Sequence, residues 1–288
     1  HWNWQFRASY NGADFYDLFG PTKTSRKGYA VGLGYRKSLL FDEPRVVDLD
    51  VDVTGYVNLE RLPDFQNVVA PFDKLLASKA SVGYEFVRKS LGAVDEEKGV
   101  RWRLTWSSNY VNSTFFPRVH SDLDYGVSLP LNHSSVWLRT SLGASFGNRA
   151  NPFANFFFGG FGNNYVDRLT EKRYREYYSF PGVELNEVGG KNYGKAMVEW
   201  LLPPIRFRRV GVPSFYFNWA RLAFFGTALR TNLDDRATRR TLVNIGGQLD
   251  FRLVLFAKLY STISFGYAAA FEENRPSNGE LMFSLKIL

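Results

Sequence analysis

The sequence predicts an all-β protein, an antiparallel transmembrane β-barrel with about 14–16 strands when complete. Polar and apolar residues alternate with a period of two along most of the chain, and the alternating segments are long. Aromatic residues make up 17% of the chain, which suits the aromatic girdles of a membrane barrel. A soluble sandwich is the alternative, but its strands are shorter and its apolar faces fill a core. We expect residues 1–288 to form one domain.

Alternation predicts about thirteen strands, interrupted once by a long loop. Those before the loop are 2–7, 29–35, 47–54, 80–86, 100–107, 123–129, 136–144 and 153–158. Those after it are 193–202, 214–228, 241–255, 260–271 and 280–288. Most reach the ~9–11 residues that a tilted strand needs to cross a bilayer. If the last strand ends on the periplasmic side, the long loop lies outside the cell. On this count the connections 40–44, 90–98 and 229–239 share that side, and 60–75 and 203–213 are periplasmic.

The segment 47–54 shows the alternation most clearly, with valine and leucine on one side and aspartate on the other. Its acidic side carries Asp48, Asp50 and Asp52. In a membrane barrel the apolar side faces lipid, so we expect a row of charge in the lumen, with Arg101 and Arg103 opposite it as ion-pair partners. The aspartate spacing matches the start of a calcium loop, but Val53 stands where that loop needs glycine. No metal site is therefore predicted.

Residues 159–191 form an interruption far longer than an ordinary hairpin connection. Because it is rich in glycine and aromatic residues, we expect it to be folded and to lie over or inside the barrel. The residues expected to contact the lumen, or to bind the loop within it, are Gly159, Gly160, Arg168, Arg173, Arg175, Gly182 and Glu199.

The amino-acid composition and net charge exclude some classes of function. The chain has no cysteine, which excludes disulfide and thiol chemistry, and no apolar run long enough for a membrane-spanning helix. The net charge of +8 suits an anionic surface. We expect basic loop residues to bind lipopolysaccharide phosphates as one partner. Ordinary solvent-exposed charges explain these basic residues equally well. These residues are Arg168, Lys172, Arg173, Arg175, Arg230, Arg236, Arg239 and Arg240. Nucleic acid is not expected, because no strand presents a basic surface with stacking aromatics.

A hydrolase is the enzymatic alternative. The run from Gly143 to Gly147 matches G-x-S-x-G, but that motif needs a strand-to-helix turn and another strand is predicted to follow. His120 and His133 are expected in solvated turns. We therefore predict no enzyme and no cofactor.

Several residues carry a resemblance to a known family: Phe157-Phe158-Gly159-Gly160, the long loop, Gly189-Gly190-Lys191-Asn192-Tyr193, and Glu199-Trp200 with Pro203. This region, 155–288, resembles the C-terminal barrel of the outer-membrane assembly-factor superfamily, which includes two-partner secretion transporters and bacterial surface antigens. In that superfamily five strands likewise follow the loop.

The resemblance implies a location in the bacterial outer membrane and a role in protein insertion or translocation. It also implies unfolded client proteins or periplasmic accessory subunits as partners. The family loop folds into the lumen and carries Arg-Gly-Phe/Tyr, where this chain has Asn163-Asn164-Tyr165. Arg168, Arg173 or Arg175 is the candidate replacement for that arginine. The alternative function is a passive channel or structural barrel.

Family members carry an N-terminal periplasmic domain and sixteen strands. The first residues here alternate like the middle of a strand and lack the segments of a signal peptide. We therefore expect this chain to be the C-terminal part of a longer protein.

Overall fold

The computed structural model describes residues 2–10, 28–59, 72–162, 166–167, 171–256, 258–273 and 275–287. This part of the chain is all-β, with short 3-10 turns at Pro152–Ala154 and Arg173–Arg175. None of it forms a helix with the length and hydropathy needed to cross a membrane.

The strands are long before the loop and long again after it. Before the loop they are β1 (Trp2–Tyr10), β2 (Tyr29–Asp42), β3 (Arg45–Val57), β4 (Leu75–Arg88), β5 (Lys98–Val111), β6 (Thr114–Ser128) and β7 (Ser135–Ser145). The loop contributes β8 (Phe156–Phe158), β9 (Val166–Asp167) and β10 (Val188–Gly190). After it come β11 (Asn192–Leu201), β12 (Ile205–Val212), β13 (Phe215–Thr231), β14 (Arg240–Leu255), β15 (Leu259–Glu272) and β16 (Asn278–Ile287).

One large sheet contains all the long strands. Its order is β1-β2-β3-β4-β5-β6-β7-β11-β13-β14-β15-β16, each antiparallel to the next, with β9 paired parallel to the outer side of β16. The prediction of an all-β antiparallel architecture is confirmed. β12 continues the line of β11, because Leu201 lies opposite Ala223 on β13 and Ile205 lies opposite Ala220. The consecutive residues Pro203 and Pro204 separate the two strands because proline has no N–H to donate to the ladder.

The predicted strand 153–158 is wrong. Pro152–Ala154 forms a 3-10 turn, which the side chain of Asn151 caps by accepting a hydrogen bond from the Phe153 N–H. The three residues of β8 then pair with β10 in a separate two-stranded sheet. One strand fewer therefore precedes the loop in the main sheet.

The missing strand changes the end of the sheet at which the connections before the loop lie. We call the end of the sheet at Ser145 and Asn192, where the long loop leaves and returns, the loop end, and the other end the far end. Neighbouring hairpins of an antiparallel sheet open at opposite ends, so the β2–β3 and β4–β5 connections lie at the far end, and β3 ends at the loop end. The predicted sides of 40–44 and 90–98 are therefore wrong relative to the loop, whereas 203–213 and 229–239 lie as predicted. β3 ends and β4 begins at the loop end, opposite to the side predicted for 60–75, of which 60–71 lie outside the described residues.

The two faces of the sheet differ in an unusual way. On β14, Val243 and Ile245 are 45% and 58% exposed, whereas Asn244, Gln248 and Asp250 on the opposite face are at most 1% exposed. Soluble sheets bury the apolar face instead. The exposed apolar face, as we call it, continues across the sheet through Leu33, Val53, Leu104, Trp106, Leu123, Tyr125, Leu138, Leu142, Val198, Trp200, Phe224, Phe265, Tyr267, Phe271, Leu281 and Phe283.

Two clusters of buried apolar residues lie beneath the long loop, on the polar face. One cluster joins Phe156, Phe158, Phe180 and Val188 of the loop to Tyr193 on β11 and to neighbouring strands. A second places Tyr174 of the loop against Phe225 on β13, with ring centroids 4.2 Å apart and planes at 12°. The loop is thus packed as a folded layer on the polar face of the sheet.

Candidate loop-anchoring site

Glu199 is the centre of the contacts that hold the loop to the sheet. Its side chain lies on β11, fully buried, and both carboxylate oxygens are used. Arg175 Nε donates to Oε1 and Oε2 at 2.9 and 3.1 Å, and the Tyr174 hydroxyl donates to Oε1 at 2.6 Å. Arg139 on β7 donates from Nε and Nη2 to Oε2 at 3.0 and 2.9 Å. A buried carboxylate is costly unless it is paired in this way.

The 3-10 turn at Arg173–Arg175 places two of these donors. It directs Tyr174 and Arg175 to the same carboxylate, while the Tyr174 ring stacks on Phe225. Burial and the Glu199 charge raise the pKa of Tyr174, so its hydroxyl stays protonated and available as a donor.

Arg175 also contacts Asp95, which belongs to the β4–β5 connection at the far end. Its Nη2 lies 3.3 Å from Asp95 Oδ2, and Arg221 Nη1 of β13 lies 3.6 Å from the same oxygen. Burial raises the pKa of Asp95, but the charges of Arg175, Lys172 and Arg221 outweigh it and hold the pKa well below its usual range. Connections from opposite ends therefore meet on the polar face.

Lys172 and Glu171 make a second anchor, on β14 and β16. Lys172 Nζ lies 2.5 Å from Asp250 Oδ2, and Gln248 Nε2 donates to Asp250 Oδ1 at 2.7 Å. The carbonyl of Glu171 accepts from Gln248 Nε2 and from Ser284 Oγ, both at 3.1 Å. Each of these sheet residues is at most 1% exposed, so the anchor is sealed from solvent.

Glu280 on β16 makes a third anchor by accepting backbone N–H groups. Its Oε1 accepts from Phe161 at 2.9 Å and its Oε2 from Gly182 at 2.8 Å. Gly182 has φ +95°, and a Cβ there would lie 2.7 Å from the backbone nitrogen of Ala270. Only glycine fits this close, left-handed position.

Lys195 on β11 closes the loop turn that follows Arg175. Its ammonium donates to the carbonyl oxygens of Glu176, Tyr177 and Ser179 at 2.7, 3.1 and 2.6 Å. Those three acceptors match the three donors of an ammonium.

The remaining predicted loop residues lie in the same layer. Gly159 and Gly160 are buried after β8, both with positive φ. The Gly160 N–H donates to the Val183 carbonyl, and the Gly160 carbonyl accepts from the Phe180 N–H. Arg173 is buried beside Gly162. Arg168 and the 163–165 tripeptide lie outside the described residues.

The predicted row of charge lies on the uncovered part of the polar face. Asp48 accepts from Ser38 at 2.8 Å, Asp50 from Arg36 at 2.5 Å, and Asp52 pairs with Arg7. Arg103 Nη1 lies 3.7 Å from Asp50 Oδ2. Arg101 instead pairs with Glu85, Glu96 and Asp124, at 3.2, 3.0 and 3.9 Å.

Two polar cavities adjoin this row. One, of about 400 Å³, lies between the loop and strands β5, β6, β7 and β11, and is lined by Arg101, Asp124, Arg175 and Lys195 among others. The other, of about 430 Å³, lies over β1 to β5 and is lined by Arg7, Arg36 and Asp52 among others. Arg103 lines both, so the cavities adjoin at its side chain.

Sequence reasoning missed most of the partners of the predicted residues. Arg139, Lys195, Asp250 and Glu280 stand on the polar side of alternating strands, so strand parity marks them as inward-facing charges. Asp95 gives no such signal, because it lies in a connection whose path alternation does not predict.

In the described part of the chain, the G-x-S-x-G run is not followed by the strand-to-helix turn that its motif needs. Ser145 is the last residue of β7, and a 3-10 turn is the next element. His120 was expected in a solvated turn, which is wrong: it is buried on β6 and stacks on Tyr177 at 4.6 Å. His133 contacts Glu97 at 2.9 Å through Nδ1. No group of three or more histidine, cysteine or acidic side chains is placed there to hold a metal.

The comparisons with known proteins assign no family. No family model matches the chain, and no curated protein matches it.

Proposed function

We propose that the chain is a bacterial outer-membrane β-barrel of assembly-factor type, which acts in insertion or translocation of proteins. The observation that carries the proposal is the reversed burial of the sheet. Its apolar side chains are exposed on one face, whereas charged side chains such as Glu199 and Asp250 are fully buried on the other. A sheet that faces lipid outside and a polar lumen inside has this pattern. An apolar area of this extent is not typical of a soluble monomer.

The anchored loop is suited to brace the barrel from the inside. Its contacts with Glu199, Asp250 and Glu280 tie it to β11, β14 and β16, so it resists displacement from the lumen. In this role the protein acts by presenting the edges of its sheet to unfolded clients, because unpaired strand edges pair with incoming strands.

We still propose lipopolysaccharide as a partner, but fewer basic residues are free to contact it than the sequence predicts. Lys172 and Arg175 lie in the buried anchors, Arg173 is buried, and Arg240 pairs with Glu272 and Glu187. The loop end still presents exposed Arg230 and Arg236. We propose these two as contacts for lipid phosphates.

Reconstitution into liposomes tests the function. We expect the protein to accelerate the folding of an unfolded outer-membrane barrel, measured by its gel shift, relative to empty liposomes. Arg175→Ala should reduce the acceleration, whereas Arg275→Ala, in an exposed ion pair with Glu187, should not. A client that folds at the same rate in empty and loaded liposomes would disprove the proposal.

A passive channel is the second candidate, and the two cavities that adjoin at Arg103 favour it. Conductance across planar bilayers separates the two functions. A stable open pore that persists after deletion of residues 168–182, without any client folding, would favour the channel.

A further inference from the structure

The β4–β5 connection, residues 89–97, is a compact unit with hydrogen bonds of its own. The Glu97 N–H donates to the Arg88 carbonyl at 3.0 Å and closes the base of the connection. The Ala93 N–H donates to the Ser90 carbonyl at 3.0 Å and closes its tip. The Glu97 carboxylate also accepts from the Ser90 N–H at 3.2 Å. These bonds are internal, so the shape of the connection does not depend on its contacts with other strands.

The connection reaches strands that lie far from it in the order of the sheet. Asp95 lies 3.6 Å from Arg221 on β13, and the carbonyl of Gly92 accepts from Arg206 on β12. Between β5 and β13 the sheet places β6, β7 and β11. With neighbouring strands ~4.8 Å apart, these four intervals measure roughly 19 Å along the sheet. The connection therefore crosses the space above the polar face instead of following the sheet.

Charged contacts, more than apolar packing, attach the connection. Glu97 Oε1 lies 2.9 Å from His133 Nδ1 in the β6–β7 turn, which adds to the contacts with β12 and β13. Among the apolar residues of the connection, Leu91 is fully exposed and only Ala93 is buried. A segment with few buried apolar contacts opens at a low cost in free energy.

Two of the residues that hold the connection line the cavity of about 400 Å³ beneath the loop. Arg175 lies 3.3 Å from Asp95, and Arg101 lies 3.0 Å from Glu96. The connection therefore borders this cavity on the side of the far end.

We propose that residues 89–97 are a latch, which moves between two positions at the far end of the polar face. In the closed position, which the structure shows, Asp95 holds Arg175 of the loop and the latch limits access to the cavity. In the open position Arg221 still donates to the Leu202 carbonyl at 3.2 Å, and water replaces Asp95 beside it. The inference goes beyond the proposed function, because it concerns access to the cavity, whatever enters it.

A cysteine reporter measures this access, because the chain has no cysteine of its own. Ser141→Cys places a thiol in the cavity wall, at a position that is 5% exposed. Ser264→Cys, on β15 and 1% exposed, is the matched reporter away from that cavity. The rate of labelling by a charged methanethiosulfonate reagent is measured for both reporters in the purified protein.

Asp95→Asn removes the charge that holds the latch. We expect it to speed labelling of the Ser141→Cys reporter by about tenfold, because labelling follows the population of the open position. Glu96→Gln is the matched control. The Glu96 carboxylate pairs with Arg101 of its own hairpin, so its loss should leave the labelling rate unchanged.

Arg206→Ala keeps the inference testable if Asp95→Asn does not fold, since it frees the Gly92 carbonyl by changing an exposed side chain. It should also speed labelling of the Ser141→Cys reporter. An unchanged rate in the folded variants overturns the inference. An equal rise at the Ser264→Cys reporter overturns it too, because that result marks a general loosening of the fold. The measurement needs neither a client nor a bilayer, so its outcome is independent of the proposed function.

Discussion

Arg175 and Asp95 form a salt bridge of 3.3 Å although their segments enter from opposite ends of the sheet. The same guanidinium binds Glu199 on β11, so one side chain joins the long loop, the β4–β5 connection and the sheet. Contacts from both ends of the sheet therefore meet on one side chain.

We expect Glu199→Gln to destabilise the protein by about 3 kcal/mol, because it removes a buried charge that Arg139 and Arg175 share. Arg139 keeps its pairing with Asp124 and Arg175 its pairing with Asp95, which limits the loss of stability. Denaturant unfolding in detergent measures it. Glu273→Gln, at an exposed position, is the control, and equal midpoints for the two variants would contradict the central role of Glu199.

Tyr174→Phe separates the contribution of the hydroxyl to stability from that of the ring. The variant loses the 2.6 Å hydrogen bond to Glu199 and keeps the stacking on Phe225, so we expect a loss of about 1–2 kcal/mol. Tyr174→Leu removes both and should cost more. If the two variants unfold at the same denaturant concentration, the ring contact contributes nothing.

Gly182→Ala tests the close approach of the loop to β15. The added Cβ would lie 2.7 Å from the Ala270 nitrogen at φ +95°, so we expect a destabilisation of about 2 kcal/mol and faster proteolysis of the loop. Gly189→Ala is the matched control, because its nearest neighbour would be a Phe157 ring carbon at 3.5 Å. Equal proteolysis rates for the two variants would refute the tight contact.

The Asp95 contacts predict that the stability of the protein depends on pH. Because the folded-state pKa of Asp95 is well below its unfolded value of ~3.9, its contribution is complete above pH ~4 and is lost as the pH falls through the folded-state pKa. We expect Asp95→Asn to be less stable than the parent at pH 7 and the difference to shrink towards pH 2. Asp42→Asn, on the exposed end of β2, should show no such convergence. A difference that is constant with pH would rule out the ionised pairing.

The alternation of valine and aspartate in 47–54 was sufficient to predict β3 and its two faces, because a strand's side chains point alternately to opposite sides. The same rule failed at Phe156–Phe158, where apolar residues belong to the loop layer and pair with β10. Arg175 and Glu199 were singled out from the sequence, but their contact was not. Pairing between residues so far apart depends on the path of the loop, which no local pattern records.

Lys195 has a consequence for the order of assembly. Its ammonium finds its acceptors in the carbonyl groups of the loop turn, at Glu176, Tyr177 and Ser179. A loop that settled over β11 before that turn had formed would bury an unsatisfied cation. We therefore expect the turn to form as the loop docks on the strands. Pulsed proteolysis during refolding would reveal the opposite if residues 176–179 became protected long after the rest of the loop.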